Sequence, residues 1–176
     1  MTSVASGRTA EYNEFSLQHE LGVFLRGKLP NHKVQFGRNV SFFFRSKMPF
    51  TKREIDISVF APDMRELACA IELKYPRRGQ YPEQMFSFCK DLAFSEELNA
   101  AGFGAASLLI FAYDHLLHQG PAEGICVFFC GGQPLHGRVK KPTGRKDDEV
   151  ILRGTYSIQW KSISSSLQLA VIEVGQ

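Results

Sequence analysis

Apolar residues recur along this chain with two periods, one helical and one typical of strands. Over residues 11–29 the apolar positions fall on one helical stripe, which predicts an amphipathic helix ended by Pro30-Asn31. The stripe consists of Leu17, Leu21, Phe24 and Leu25. A second helix is predicted from Pro82, a residue that suits the first turn of a helix, to about residue 100.

Alternating or continuously apolar segments predict the strands. Before the second helix these are residues 33–44, 53–60 and 67–75, and residues 106–112 follow it as a buried strand. Five more segments of strand character lie at residues 125–130, 135–139, 150–152, 155–161 and 167–174. They either extend the main sheet or form a small β appendage on the same core. Together with the length, this pattern predicts one α/β domain over residues 1–176.

Two predicted strands carry charged residues that packing alone does not explain. Residues two apart in a strand point to the same face, so Glu72 and Lys74 share one side of the run 70–74. Asp56 lies in the preceding strand, between Ile55 and Ile57. If the two strands pair as a hairpin, the three charged groups converge at one place. The alternative is a surface pair on an edge strand with Asp56 unrelated, although the apolar neighbours favour a sheet interior.

Asp56 followed by Glu72-Leu73-Lys74 resembles the signature of the PD-(D/E)xK, or restriction-endonuclease-like, nucleases. The resemblance covers roughly residues 11–114, where the predicted elements follow the order of that family. Ile55 stands where the namesake proline often occurs. The resemblance implies a restriction-endonuclease-like core with a mixed central β-sheet flanked by helices, and additional C-terminal strands over about residues 120–176.

This resemblance implies a metal-dependent nuclease that hydrolyses phosphodiester bonds, of DNA rather than RNA. Asp56, Glu72 and the Leu73 carbonyl would bind Mg²⁺ or Mn²⁺, since hard cations prefer oxygen ligands. Lys74 would orient or deprotonate the attacking water, or stabilise the charged phosphate. Two carboxylates about 5 Å apart repel by roughly 3 kcal/mol at an effective dielectric of about 20, which favours a bound cation.

The helices offer further candidates for the site. The family often adds an acidic residue from its first helix, and both Glu14 and Glu20 border the apolar stripe, about 60° from Leu17 on either side. Glu20 is slightly preferred because it lies mid-helix. On the second helix, Gln84-x-x-x-Phe88 is similar to a Gln-x-x-x-Tyr motif of some relatives, so Gln84 would hold Lys74 or the water. The alternative is a solvated position on the helix flank for either glutamate, and a capping or surface role for Gln84.

Basic residues cluster in two stretches, although the net charge is only +3. Residues 26–53 contain eight Lys or Arg and no acidic residue, and a second basic run covers residues 138–146. Such stretches suit contacts with phosphate, and a solvated basic face is the alternative. Four basic residues near the charged strands are predicted to contact nucleic acid: Lys52, Arg53, Arg77 and Arg78.

Several other classes are not favoured by the sequence. The first ten residues lack an apolar core of signal-peptide length, and no apolar run is long enough to cross a bilayer. The four cysteines do not show paired metal-ligand spacing and suit buried thiols of a reducing cytoplasm. We therefore expect a cytoplasmic protein that does not bind membranes.

The partners and the activity leave alternatives open. The resemblance implies a homodimer, and a chain this short has little room for recognition apparatus, so a partner protein is expected to supply specificity. Two other functions remain open: a catalytically inactive nucleic-acid-binding module of the same fold, and a protein-interaction or regulatory domain.

Overall fold

A computed structural model describes residues 13–44, 49–76, 79–144 and 148–175, which form a mixed α/β fold. Its elements, in chain order, are α1 (Glu14–Lys28), β1 (Lys33–Asn39), a 3₁₀ turn (Val40–Phe42), β2 (Glu54–Phe60), β3 (Leu67–Lys74), α2 (Tyr81–Ala101), β4 (Ala105–Ala112), α3 (Leu116–Gln119), α4 (Cys126–Phe129), β5 (Leu135–Lys140), β6 (Glu149–Tyr156), β7 (Trp160–Ser162) and β8 (Gln168–Val174). The α/β class predicted from the sequence is confirmed.

Within the described residues, six strands form a mixed central sheet in the order β1-β2-β3-β4-β8-β7. Strands β3 and β4 are parallel, and the other neighbouring pairs are antiparallel. Helix α2 connects the parallel pair, because two parallel strands need a long crossover. Strands β5 and β6 form a separate antiparallel hairpin. The last third of the chain therefore does both things left open by its sequence: β7 and β8 extend the sheet, and β5–β6 is an appendage.

The two long helices cover opposite faces of the sheet, as the alternation along β4 shows. Leu108 lies in the larger apolar core with residues of α2, whereas Leu109 lies in a second core with Leu17 and Leu21 of α1. Adjacent strand residues point to opposite faces, so each helix has its own side of the sheet. Phe24, predicted on the buried stripe of α1, is instead exposed.

The interior is rich in phenylalanine. Phe60, Phe94 and Phe103 are among the fully buried side chains. The Phe43 ring makes edge-to-face contacts with Phe60 and Phe103, each with 5.2 Å between ring centroids. Such pairs stabilise a core beyond the area they bury.

Residues 125–130, predicted as a strand, form the short helix α4 instead. Ile125 and Phe129, four residues apart, are both buried, and the Cys130 amide donates to the Cys126 carbonyl. An apolar run this short fits the period of a helix and the period of a strand equally well. Here contact with α2 selected the helix, because the Phe129 ring packs on the Phe88 ring. The boundaries of the two strands predicted at 150–152 and 155–161 are also wrong, because β6 runs through Tyr156 and β7 begins at Trp160.

The state of the cysteines bears on the reducing compartment expected from the sequence. All four cysteines are free thiols; Cys89 is buried, and burial raises the pKa of its thiol to about 12. The other three are half-buried rather than fully enclosed.

Within the parts of the chain that the structure describes, no helix is long and apolar enough to cross a membrane.

Candidate active site

Hairpin β2–β3 brings Asp56 and Glu72 together where the two strands diverge. Their backbone pairing ends at Ile57 opposite Ile71. Beyond that pair, side chains replace the ladder: Asp56 Oδ2 accepts from the Leu73 amide at 2.8 Å, and Glu72 Oε1 accepts from the Asp56 amide at 3.2 Å. Each carboxylate is therefore held by the backbone of the opposite strand, and the two lie side by side.

Helix α1 contributes Glu14 rather than Glu20 to this place. Glu14 Oε2 accepts from the Tyr75 amide at 3.1 Å, directly after β3 ends. Burial raises the pKa of Glu14, and the nearby Lys74 ammonium partly opposes that rise. Glu20 instead lies 3.5 Å from His19 Nδ1 on the outer part of the helix. The slight preference for Glu20 is therefore corrected in favour of Glu14.

Lys74 is held in the site by Asp91, which is not among the site residues predicted from the sequence. Its Nζ lies 3.1 Å from Asp91 Oδ2, and Asp91 is only 5% exposed. Burial alone would lower the pKa of Lys74, but the carboxylates of Asp91 and Glu14 outweigh burial and raise it. Asp91 lies on the same face of α2 as Phe88, three residues earlier. A carboxylate on an apolar helix face needs a buried partner, and this was the signal that could have found it.

Gln84 lies in the first turn of α2. Its Nε2 donates to the Gly79 carbonyl at 2.8 Å. The contact with Lys74 that the resemblance assigned to Gln84 is made by Asp91, nearly two turns further along α2. A role for Gln84 toward a bound water stays a prediction.

Lys52, predicted to contact nucleic acid, lies among the carboxylates instead. Its ammonium group pairs with Glu72 Oε2, and lies 3.1 Å from Asp91 Oδ1 and 3.9 Å from Asp56 Oδ1. Arg53, the next residue, is exposed. Arg77 and Arg78 lie outside the described residues. Of these four basic residues, the described part of the chain therefore places Lys52 in ion pairs and leaves Arg53 exposed.

The electrostatics of this cluster show a deficit of positive charge. Glu72 is fully buried, and burial, followed by the nearby Asp56, raises the pKa of its carboxyl to about 8. Burial alone would lower the pKa of Lys52, but Glu72, Asp91 and Asp56 together raise it. Among the described residues, four carboxylates, including Glu14, face two ammonium groups, so this set carries two excess negative charges when fully ionised.

The donor chemistry of the cluster fits a hard divalent cation, although the side chains are not arranged around one. Across the described segments, no three His, Cys, Asp or Glu side chains are placed to hold a metal ion together. Carboxylate oxygens are the ligands that Mg²⁺ prefers, and two excess negative charges match one such ion. Lys52 takes the counter-ion position, so Asp56 and Glu72 could bind a cation only if this ammonium moved. The Leu73 carbonyl as a further ligand stays a prediction.

A cleft of about 610 Å³ opens beside the cluster, between α2 and β6. Lys52 and Asp91 line it, so these two residues face both the cleft and the buried carboxylates. Other lining residues are Thr51, Ser87, Lys90, Ala93, Glu96, Glu97, Asp148, Glu149, Val150, Ile151 and Arg153. The cleft provides a path between solvent and the cluster.

Charged groups from four parts of the chain thus meet at the diverging end of one hairpin. The residues brought together are Glu14, Lys52, Asp56, Glu72, Lys74 and Asp91. In comparisons with known proteins, no family, no curated protein and no solved structure matches this chain.

Proposed function

We propose that this chain is a metal-dependent nuclease with a restriction-endonuclease-like core, which hydrolyses phosphodiester bonds of DNA. The observation that carries the proposal is the pairing of Asp56 and Glu72 at the end of hairpin β2–β3, with Lys74 close by. Two carboxylates and a lysine on neighbouring strands are the groups this chemistry needs, because they can hold a cation and contact a phosphate.

The order of elements supports the proposed fold. Helix α1 precedes the antiparallel strands β1, β2 and β3, and α2 then connects β3 to the parallel strand β4. This is the helix, hairpin, helix and strand order that the resemblance implies. The strands after residue 134 are additions to that core.

The residues of the cluster suggest distinct roles. A bound Mg²⁺ or Mn²⁺ would neutralise charge on the phosphate and lower the pKa of a bound water. Asp56 and Glu72 would hold that cation. Lys74, whose pKa is raised by Asp91 and Glu14, would stay protonated at neutral pH. It would therefore act as a positive charge beside the phosphate rather than as a base.

A catalytically inactive nucleic-acid-binding module is the second candidate, and Lys52 is the observation that favours it. An ammonium group already pairs with Glu72 and Asp91, which is the arrangement expected of a domain that never binds a metal. In that case the carboxylates and lysines would be a structural network. The two candidates differ in whether the cluster binds a divalent cation and turns over substrate.

Nicking of supercoiled plasmid in Mg²⁺ or Mn²⁺ tests the proposal. We expect the wild type to nick the plasmid and Asp56→Asn to lower the rate by about 10²–10³-fold or more, because the variant loses the carboxylate that faces Glu72. The matched control is Asp63→Asn, since Asp63 lies on the exposed turn between β2 and β3. Glu14→Gln should slow the reaction more than Glu20→Gln, because only Glu14 reaches β3.

Three results would contradict the nuclease proposal. They are nicking that survives Asp56→Asn, nicking that does not depend on a divalent cation, and a wild type that does not nick in either metal. Salt-sensitive binding of DNA by a wild type that fails to nick would support the inactive module instead.

A further inference from the structure

Lys52 is shared by three carboxylates in this structure, of which Glu72 and Asp91 are buried and Asp56 is half-buried. Its ammonium group pairs with Glu72 of β3, and lies 3.1 Å from Asp91 of α2 and 3.9 Å from Asp56 of β2. One positive charge therefore joins three elements of the fold. A divalent cation bound by Asp56 and Glu72 would be attracted by the same oxygens and would need the same space.

The backbone that carries Lys52 is held on both sides. Thr51 donates from its amide and its hydroxyl to Glu97 Oε2, at 2.8 and 3.0 Å. The Arg53 carbonyl accepts from the Val40 amide at 2.8 Å. The Lys52 side chain can therefore change its position while its backbone stays in place.

This side chain also has space to move into. Lys52 lines the cleft between α2 and β6, and its side chain is 33% exposed. Glu97 and Asp148 line the same cleft. An ammonium group that left the cluster would therefore meet solvent and other carboxylates, so the cost of leaving would be partly offset.

We propose that Lys52 is a positioning residue: a built-in counter-ion that holds Glu72 and Asp91 in place without metal, and that a divalent cation displaces into the cleft. This inference rests on the proposed function, because it requires the cluster to bind a cation. It predicts that loss of the Lys52 ammonium lowers the stability of the metal-free protein and raises its affinity for a divalent cation. The metal-free protein loses its ion pairs, whereas an entering cation no longer has to break them.

Thermal unfolding in EDTA and calorimetric titration with Mn²⁺ test this on the full chain. For Lys52→Met we expect the Tm in EDTA to fall by about 5–10 °C. We expect the Kd for Mn²⁺ to become about tenfold lower. Lys52→Arg keeps the charge and should stay near the wild type in both measurements. Lys90→Met is the matched control, because Lys90 lines the cleft but pairs with Asp148, at 2.8 Å, and should leave Mn²⁺ affinity unchanged.

The outcomes separate this inference from the proposed function. If the wild type binds Mn²⁺ and folded Lys52→Met binds it no more tightly, the inference is wrong and the proposed function stands. If neither protein binds Mn²⁺, both are wrong. If Lys52→Met does not fold, wild-type crystals grown with and without Mn²⁺ decide. With Mn²⁺ bound, Lys52 Nζ should lie beyond about 4 Å from Glu72, and a retained ion pair would overturn the inference.

Discussion

Glu72 is a carboxyl group whose burial makes the stability of this protein depend on pH. In the folded chain its pKa is raised from 4.5 to about 8, chiefly by burial and then by Asp56. Between these two values the unfolded chain has lost this proton while the folded chain keeps it. The folded state binds more protons, so its stability falls as the pH rises through this window. Below about pH 4.5 the carboxyl is neutral in both states, and its contribution is fully present.

Replacing Glu72 with glutamine should flatten this dependence. In metal-free buffer we expect the free energy of unfolding of the wild type to fall by a few kcal/mol between about pH 5 and pH 8. Glu72→Gln should lose less over the same range, because glutamine stays neutral. Urea unfolding at several pH values measures the slope. Glu20→Gln, which removes a carboxylate outside the cluster, should keep the wild-type slope, and an unchanged slope in Glu72→Gln would contradict the assignment.

At the scale of single residues, alternation along the strands predicted which charged side chains meet, whereas the periodicity of α1 did not predict which glutamate joins them. Asp56, Glu72 and Lys74 could be predicted to converge because a period of two places alternate side chains on one face. The choice between Glu14 and Glu20 could not be made, because both lie near the buried stripe. Their positions along the helix axis decided it: Glu14 is level with the end of β3, and Glu20 is not.

Helix α2 is tied to the appended hairpin β5–β6 by one buried carboxylate. Glu96 Oε1 accepts from the Gly154 amide and from the Tyr156 hydroxyl, both at 2.7 Å, and from the Arg153 amide at 3.0 Å. Glu96 is 8% exposed. Burial, followed by the bond to Glu96, raises the pKa of the Tyr156 hydroxyl, which therefore stays protonated as the donor.

Removing this carboxylate should loosen the hairpin from the helix. We expect Glu96→Ala to lower the free energy of unfolding by about 2–4 kcal/mol, because the buried Tyr156 hydroxyl and two partly buried amides lose their acceptor. Tyr156→Phe removes a single hydrogen bond and should cost about 1 kcal/mol. Denaturant unfolding gives both values, and hydrogen exchange should show faster exchange at the β6 amides in Glu96→Ala.

The control for this prediction lies on the same hairpin. Glu149 pairs with Arg138 at 3.1 Å at a position where the Arg138 side chain is 61% exposed. Glu149→Ala should therefore cost about 0–1 kcal/mol. If Glu96→Ala were as mild as this, Glu96 would not be the link between α2 and the hairpin.

Long elements were predictable here, and short ones were not. Helix α2 and strand β4 each contain enough apolar residues in one pattern that tertiary contacts do not change their secondary structure. Helix α4 has only four residues, and its apolar run suits a strand equally well. Packing of Phe129 against Phe88 decided its form, and local sequence carries no record of that contact.

The whole molecule depends on two apolar cores, one on each face of the central sheet. A group of edge-to-face phenylalanines, including Phe60, packs at one end of β2. Phe60 is 1% exposed, whereas Phe15 on α1 is 79% exposed. The same residue type thus occurs in two extreme environments, which allows a matched comparison.

Truncation of these two side chains should have very different effects. We expect Phe60→Ala to lower the free energy of unfolding by about 3–5 kcal/mol, because it leaves a cavity among packed rings. Phe15→Ala should stay within about 0.5 kcal/mol of the wild type. Denaturant unfolding of both variants measures this, and a similar loss in both would show that the position of α1 or of this core is wrong.

Local pattern was sufficient for the order of the main helices and strands and for the meeting of Asp56 with Glu72, because periodicity and alternation depend on neighbouring residues. Other contacts of the cluster join distant parts of the chain: Lys52 and Asp91 are 39 residues apart, and Glu14 and Tyr75 are 61 apart. Such contacts are selected by the stacking of helices on a sheet and by the need to neutralise charge once it is buried. Only the folded chain sets these conditions, so Lys52 reads as a surface cation in the sequence and lies against Glu72 in the structure.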